Sequence, residues 1–253
     1  MPVTFPSHAA AVLPLFRWAP RLPPLALVVG SAAPDLSYAL NFGGEVAHRP
    51  SGIVDFCLPV GLFFFVWAEL LVLPTLRSAV PSVFGIELGR FLRTRGPPRN
   101  SAEWVQVALA IVIGAATHQL WDGFTHRDQW PAYLLYGDTV VAEVRGRPLY
   151  LGNLLQYVSS VLGGAMVALW TVRRYPQLAT CSPGSARRLL LLVAAMIAGA
   201  LAALWRRRSA FMGASITWTM WLGFWTCVAG ALVGLTVLCV LLRLGLLPRP
   251  LST

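Results

Sequence analysis

Three residues that can bind a metal or transfer protons occur at helical spacing in the middle of the chain. His118, Asp122 and His126 follow one another at intervals of four residues. An α-helix has about 3.6 residues per turn, so this spacing places the three side chains on one face over two turns. Imidazole nitrogens and a carboxylate in this arrangement predict ligands that share one cation. The alternative is a helix end whose polar residues only cap the helix and form hydrogen bonds.

The segment that precedes these residues makes their polarity informative. Residues 104–116 are almost wholly apolar, so the polar face occurs where a hydrophobic helix leaves the bilayer. Ionisable groups near lipid are costly unless they are paired, and they usually mark function. We therefore expect a metal or catalytic role here.

Further candidates lie in the N-terminal part of the chain, whereas residues 151–253 contain no Asp, Glu or His. Neutral imidazole and carboxylate are ligands that zinc accepts at about 2.0–2.2 Å, and manganese or iron also suits them. The predicted metal ligands are His8, Asp35, His48, His118 and Asp122. The predicted catalytic residues are His126, which would transfer protons, and Asp55.

Each of these residues taken singly also has a structural explanation. His8 can cap a helix or pack in a core, and Asp35 after Pro34 can begin a turn. His48 can be an ordinary loop residue. Asp55 directly precedes an apolar segment and can cap its helix. It is the set of residues, rather than any single member, that indicates a metal site.

The composition indicates a polytopic membrane protein. The chain has 253 residues, of which 57% are hydrophobic and 12% charged, and a mean hydropathy of +0.65. Such values are too apolar for an ordinary soluble domain. We predict an all-α helical bundle of a single membrane domain over 1–253, in which residues 1–150 carry the metal site and 151–253 form an apolar scaffold. About five transmembrane helices are expected, at 56–76, 102–121, 151–172, 189–205 and within 211–242.

A helix needs about 20 residues to span a bilayer, and each of the N-terminal apolar segments is shorter than that. Residues 25–40 form such a piece, which Pro34 interrupts. We expect these pieces to be short helices that re-enter the membrane or lie at its interface.

The positive charge predicts an orientation in the cell membrane rather than nucleic-acid binding. The net charge is +10 and all basic residues are arginines, which cluster in loops between apolar segments. Loops 77–100 and 173–188 are predicted to be cytoplasmic by the positive-inside rule. Asp55, the 118–126 segment and the 128–150 loop would then be extracytoplasmic. Arg206–Arg208 would also be extracytoplasmic, which conflicts with the positive-inside rule.

A set of motifs resembles known membrane families. The segments SHAAAVLPL, GSAAPDL, HRPSG and GAATHQLWD together resemble the membrane-bound metal-dependent hydrolase families of bacterial inner membranes. Within that group, SHAAAVLPL, THQLWDGFTH and LLQYVSSVLG look like bacterial domain-of-unknown-function family 4184. The hydrolase group often has a second acid and a second histidine where this chain has Ser37 and Ser51 to Gly52. The resemblance therefore implies a metal site with fewer ligands.

Three functions are compatible with these observations. The first is metal-dependent hydrolysis of a phosphoester or other ester in a lipid-like substrate, since a bound cation can activate water. The second is a non-enzymatic membrane protein whose His/Asp cluster is structural, senses an ion or transports one. The third is metal-dependent chemistry on an isoprenoid diphosphate. The sequence lacks an aspartate-rich motif, which weakens this third function.

Overall fold

The computed structural model describes residues 7–79, 96–144, 146–174 and 183–246, together with short strands at 82–83 and 86–87. This part of the chain is mostly helical, as predicted. Its helices, in chain order, are α1 (Ala9–Val12), α2 (Leu15–Trp18), α3 (Pro24–Leu40), α4 (Gly44–Ala47), α5 (the continuous run of Ile53–Cys57, Leu58–Trp67, Ala68–Val72 and Leu73–Ala79), α6 (Ser101–Thr125), α7 (Ala132–Leu135), α8 (Leu151–Arg174), α9 (Pro183–Arg206) and α10 (Ile216–Arg243), with a 3-10 turn at Arg208–Phe211.

Two small antiparallel hairpins accompany the helices and were not predicted. Strands β1 (Ser82–Val83) and β2 (Ile86–Glu87) pair with each other, as do β3 (Val140–Val144) and β4 (Arg147–Tyr150). The second hairpin has a physical cause in its sequence, VVAEVRGRPLY. Its valines favour extended backbone, and Gly146 has a φ of +73°, which glycine adopts without steric cost.

In the part of the chain that the structure describes, four helices are long and apolar enough to cross a membrane, which is consistent with membrane integration. They are Ile53–Leu76, Ser101–Thr125, Leu151–Arg174 and Ile216–Arg243. The fifth predicted span coincides with a shorter apolar stretch, Leu190–Arg206, so a count of five stays a prediction. The cytoplasmic loops predicted at 77–100 and 173–188 lie largely outside the described residues.

The N-terminal pieces are short apolar helices, and one of them differs from expectation. Pro34 was expected to interrupt the segment 25–40, but α3 continues through it for 17 residues. Proline in a helix interior removes one backbone hydrogen bond and costs about 3 kcal/mol. Pro34 is buried, as are most of its neighbours in the second half of α3. Tertiary packing therefore offsets the cost and keeps the helix continuous.

Close packing of α3 on α6 fixes the centre of the bundle. A Cβ atom on Gly30 would overlap the backbone of Ile111, and one on Gly114 would overlap the carbonyl oxygen of Leu27. The two backbones can approach only because both positions lack a side chain. Around this crossing lies an apolar core formed by Val12, Ala26, Leu27, Phe65, Val107, Ala110 and Ile111.

Small residues also mediate packing in the C-terminal half, which was predicted to form an apolar scaffold. Gly199 on α9 lies against Gly230 on α10, and Gly234 lies against the backbone of Ala195. On α8, a Cβ on Gly163 would lie 2.9 Å from that of Ser7, whereas one on Gly164 would meet nothing within 4 Å. Gly163 therefore packs the N-terminus against α8, and Gly164 lies at no such contact.

Several helix ends meet at one end of the bundle, which we call the site end. A buried cluster there joins Ala33 of α3, Phe56 and Cys57 at the start of α5, and Ala115 of α6. The start of α10 is also present, because Trp221 contacts Tyr38 edge to face with 5.2 Å between ring centroids. The C-terminal end of α6, which carries the His/Asp motif, thus faces the first turns of α5 and α10.

Candidate metal centre

Helix α6 supplies the first two residues of the centre. His118 and Asp122 are buried at 0% and 3% exposure, one helical turn apart as predicted. His118 Nε2 lies 3.1 Å from Asp122 Oδ2. Asn100 is the N-cap at the other end of this helix, where its side chain accepts a hydrogen bond from the backbone N–H of Glu103.

Helix α3 brings Asp35 to the same point. The glycine crossing lets the backbone carbonyl of Ser31 accept a hydrogen bond of 2.7 Å from His118 Nδ1. One turn further along α3, Asp35 Oδ1 lies 3.8 Å from His118 Nε2. The same helix–helix contact therefore orients the His118 ring and positions a carboxylate against it.

His48 enters from the turn that follows α4. Its Nδ1 donates to the carbonyl oxygen of Gly44 at 3.0 Å. Its Nε2 lies 3.7 Å from Asp35 Oδ1 and 4.0 Å from Asp122 Oδ2. The ring also stacks on Tyr38 at a centroid separation of 5.2 Å, which fixes its plane.

The two backbone contacts determine which imidazole nitrogens face the carboxylates. A carbonyl oxygen can only accept, so Nδ1 of both His48 and His118 carries a proton. In neutral rings Nε2 then presents a lone pair toward the oxygens of Asp35 and Asp122. Such acceptor atoms can be brought together by a cation or by protonation of the rings. A backbone carbonyl bound to the other ring nitrogen is typical of metal-ligating histidines.

The spacing of these atoms suits a small divalent ion. Tetrahedral ligands at zinc bond lengths are about 3.3 Å apart. The Nε2 atoms of His48 and His118 lie 3.1–4.0 Å from the oxygens of Asp35 and Asp122. The ligand atoms of Asp35, His48 and His118 lie within 4.8 Å of one another, as do those of His8, His118 and Asp122. The two groups share His118, so ligand atoms from both would have to move closer together to bind one ion.

His8 closes the cluster from the N-terminus. It is 1% exposed, and its ring lies 3.9 Å from that of His118. His8 Nε2 lies 3.0 Å from Asp122 Oδ1 and Nδ1 lies 3.8 Å from Asp35 Oδ2. The predicted folding of the N-terminal elements onto α6 is thus present in the structure, and all five predicted ligands converge. That they bind a metal stays a prediction.

Unpartnered polar atoms concentrate in this cluster. Among the described residues, the buried side-chain atoms without a hydrogen-bond partner are His8 Nδ1, Asp35 Oδ2, Ser37 Oγ and His118 Nε2. Three of these four atoms belong to predicted ligands. A buried polar group without a partner costs roughly 1–3 kcal/mol, and more if it is charged. A cation bound by His118 Nε2 would offset this cost for that atom.

His126 lies at the edge of the cluster beside a residue that sequence reasoning missed. Its Nδ1 is 3.4 Å from Asp122 Oδ1, and its side chain is 26% exposed. The buried Gln156 of α8 places its Nε2 2.7 Å from His126 Nε2, where the amide can donate to the ring. A single polar residue in the apolar run LLQYV was the available signal for Gln156.

The structure does not bring Asp55 to the other candidates. Asp55 is exposed in the first, π-helical turn of α5. Within the described part of the chain, no ion pair or side-chain hydrogen bond joins it to the cluster. Asp55 does not cap the helix, because the N-cap is Gly52, but its place in the first turn suits the positive end of the helix dipole.

A cavity of about 510 Å³ opens beside the cluster. Asp35, His48, Asp122 and His126 line one side, and α10 contributes Met220, Trp221, Phe224 and Trp225 to the other. Tyr38 lies between the two sides on α3, outside the four candidate spans. Burial and the nearby carboxylates of Asp35 and Asp122 raise the pKa of Tyr38 to about 12, so its hydroxyl stays protonated. The aromatic wall was not predicted from sequence.

The fold and site define a helical membrane-type protein with a buried His/Asp cluster at one end of its bundle. Residues 1–240 match the model of a domain of unknown function, DUF4184. The chain therefore belongs to this family, as its motifs predicted. Neither the curated proteins nor the solved structures contain a match to the chain.

Proposed function

We propose that the protein is a metal-dependent hydrolase of a phosphoester or other ester in a lipid-like substrate. The observation that carries this proposal is the convergence of His48 Nε2 and His118 Nε2 on two buried carboxylates, with each Nδ1 bound to a backbone carbonyl. These residues would bind a divalent metal ion. Zinc is favoured, and manganese and iron are alternatives. Such an ion supplies Lewis-acid activation of water and substrate.

The residues of the chain have distinct roles in this proposal. Asp35, His48, His118 and Asp122 hold the ion. His8, predicted as a ligand, contacts the second oxygen of both carboxylates, which favours a role in holding them in place. His126 lies beside Asp122 at the cavity and would carry protons between the reacting groups and solvent.

A non-enzymatic role is the second candidate, and a specific observation favours it. The His8–Asp122 and His118–Asp122 contacts of 3.0 and 3.1 Å also suit imidazolium rings that pair directly with carboxylates. Protons would then satisfy the cluster without any metal. A structural or ion-sensing protein would have this property.

Metal analysis of purified protein separates the two functions. We expect near-stoichiometric divalent metal in the wild type and its loss in His118→Ala and Asp122→Asn. The matched control is Asp55→Asn, which removes an exposed carboxylate at the same end of the bundle and should retain the metal. Equal metal content in all four proteins would refute the metal centre and support the protonated cluster.

Hydrolysis is tested on the same samples. The metal-loaded wild type should cleave an ester substrate, and His126→Gln should lose activity while it keeps its metal. A metal-loaded protein that cleaves neither carboxylic esters nor phosphoesters would contradict the enzymatic proposal and leave ion sensing or transport. The proposed location is the cell membrane, with the cluster on the extracytoplasmic face.

A further inference from the structure

The cavity beside the cluster has one polar side and one apolar side, and the two are held together by aromatic contacts. Tyr38 packs against Trp221 and Trp225 with ring centroids 5.2 and 5.4 Å away. Helix α10 is thereby fixed against the elements that carry Asp35 and His48. The polar and apolar sides therefore belong to one site, whose volume of about 510 Å³ falls in the usual range for small-molecule sites.

The apolar side of the cavity leads outward to an exposed part of α10. Met220 is 71% exposed and lines the cavity together with the exposed Thr217. Helix α10 is a candidate span that begins at Ile216, so these residues lie in its first turns. At about 1.5 Å per residue, the wall from Ile216 to Trp225 is about 14 Å long. A chain entering past Met220 would reach the cluster from the side of the bilayer.

The charges around the cavity define the head group that fits. Its charged side chains are Asp35, Asp122 and Asp128, and no arginine lines it in the described part of the chain. Asp128 forms an ion pair with Arg127 at 3.0 Å. The negative charges that an ion must balance are therefore those of Asp35 and Asp122. One divalent cation brings those two carboxylates to zero net charge. A phosphodiester or diphosphate would therefore enter without a compensating positive charge, at substantial desolvation cost.

We propose that the cavity binds a membrane amphiphile that bears an uncharged carboxylic ester. Its ester lies at the cluster, and its acyl chain lies along Met220 and Phe224 toward the bilayer. This inference rests on the proposed hydrolytic function and selects the carboxylic ester over the phosphoester.

The reaction that follows is balanced with water as the only co-reactant. The oxygen of water bonds to the acyl carbon, and the bond between that carbon and the alcohol oxygen breaks. One proton of the water goes to the departing alcohol oxygen. The second is released as the carboxylic acid ionises, and His126 passes it to solvent. The products are an alcohol and a carboxylate, which are more polar than the substrate and leave the apolar wall more readily.

The test compares two head groups and two chain lengths on the full-length, zinc-loaded protein in neutral detergent micelles. The probes are a dodecanoyl monoacylglycerol, the corresponding acetyl ester of glycerol and a dodecyl phosphodiester of glycerol. We expect kcat/KM to be at least tenfold higher for the dodecanoyl ester than for either other probe, because the long chain buries apolar area and the phosphodiester is anionic.

Variants of α10 locate the chain. Phe224→Ala should lower kcat/KM for the dodecanoyl ester by roughly tenfold, the effect of losing most of a buried aromatic contact, and should lower it for the acetyl ester by much less. Val237→Ala, an exposed position on the same helix far from the cavity, is the control. Should Phe224→Ala fail to fold, binding of an uncleavable glycerol ether with a dodecyl chain that carries bromine, a heavy-atom quencher of nearby indoles, to the wild type provides the second measurement through quenching of tryptophan fluorescence.

The outcomes distinguish this inference from the function on which it rests. Faster cleavage of the phosphodiester would overturn the uncharged head group and preserve the hydrolase. An equal effect of Phe224→Ala on long and short esters, or no quenching by the ether, would overturn the placement of the chain. No cleavage of any probe by metal-loaded protein would refute the hydrolase and this inference with it.

Discussion

The backbone carbonyl of Ser31 and the Nδ1 of His118 are joined by a buried hydrogen bond of 2.7 Å between two helices. It depends on the close approach of α3 and α6 at Gly30 and Gly114, where no side chain intervenes. The orientation of a predicted metal ligand is thus set by backbone atoms on another helix. A change in the packing of these two helices should therefore change the affinity of the proposed metal site.

The substitution Gly114→Ala tests this link. Its methyl group would overlap the carbonyl oxygen of Leu27 and separate the two helices. Overpacking of this kind typically costs about 1–3 kcal/mol, so we expect a lower Tm and a weaker affinity for zinc. The control is Gly164→Ala, where the added carbon meets nothing within 4 Å. If Gly114→Ala binds zinc as tightly as the wild type, the packing does not set the ligand geometry.

His48 and His8 should differ in their effect on the metal. His48 has Nδ1 on a backbone carbonyl and Nε2 toward the ion position, so His48→Ala should abolish stoichiometric binding. His8 contacts the far oxygens of both carboxylates, and residues that support ligands usually contribute roughly 10–100-fold in affinity. His8→Ala should therefore weaken binding by that factor. Titration with a competing zinc chelator measures both, and complete loss in His8→Ala would make His8 a direct ligand.

Gln156 should act on catalysis through His126. Its amide lies 2.7 Å from His126 Nε2, so Gln156→Leu would free the ring to rotate away from Asp122. We expect kcat to fall while metal content and KM remain near wild type. Thr171→Ala is the control, because the hydroxyl of Thr171 donates to the carbonyl oxygen of Val167 within α8, at 2.8 Å. Loss of metal in Gln156→Leu would instead indicate a structural contribution to the centre.

The side of the membrane that holds the site can be measured by cysteine labelling. The four native cysteines are replaced first, and single cysteines are then placed at Asp138, which is exposed near the site end, and at Arg99, which is exposed at the far end of α6. We expect an impermeant maleimide to label position 138 and not position 99 in intact cells. The reverse result would place the cluster in the cytoplasm, on the side favoured by Arg206–Arg208.

Local spacing made part of the site predictable. His118 and Asp122 are one turn apart on a helix, so their proximity follows from helix geometry. Asp35 and His8 could be placed near them because charged groups in short apolar pieces need partners. Asp55 is likewise a charged residue beside an apolar segment, but it lies away from the cluster. The start of a helix stabilises its carboxylate without any further partner.

Other features depended on tertiary contacts that spacing does not encode. Gln156 reaches His126 only because α8 packs beside the end of α6, and Trp221 and Trp225 meet Tyr38 only because α10 begins at the site end. The continuity of α3 through Pro34 likewise depends on burial. The β3–β4 hairpin had a local signal in its valines and Gly146, which the strongly apolar helices on either side obscured.

The position of His8 in the finished cluster implies an order of assembly during synthesis. His8, Asp35 and His48 leave the ribosome well before His118 and Asp122, and in segments too short to cross a bilayer unaided. The complete cluster can therefore form only after α6 has been synthesised. The proposed ion would bind after that step, from the compartment at the site end of the bundle.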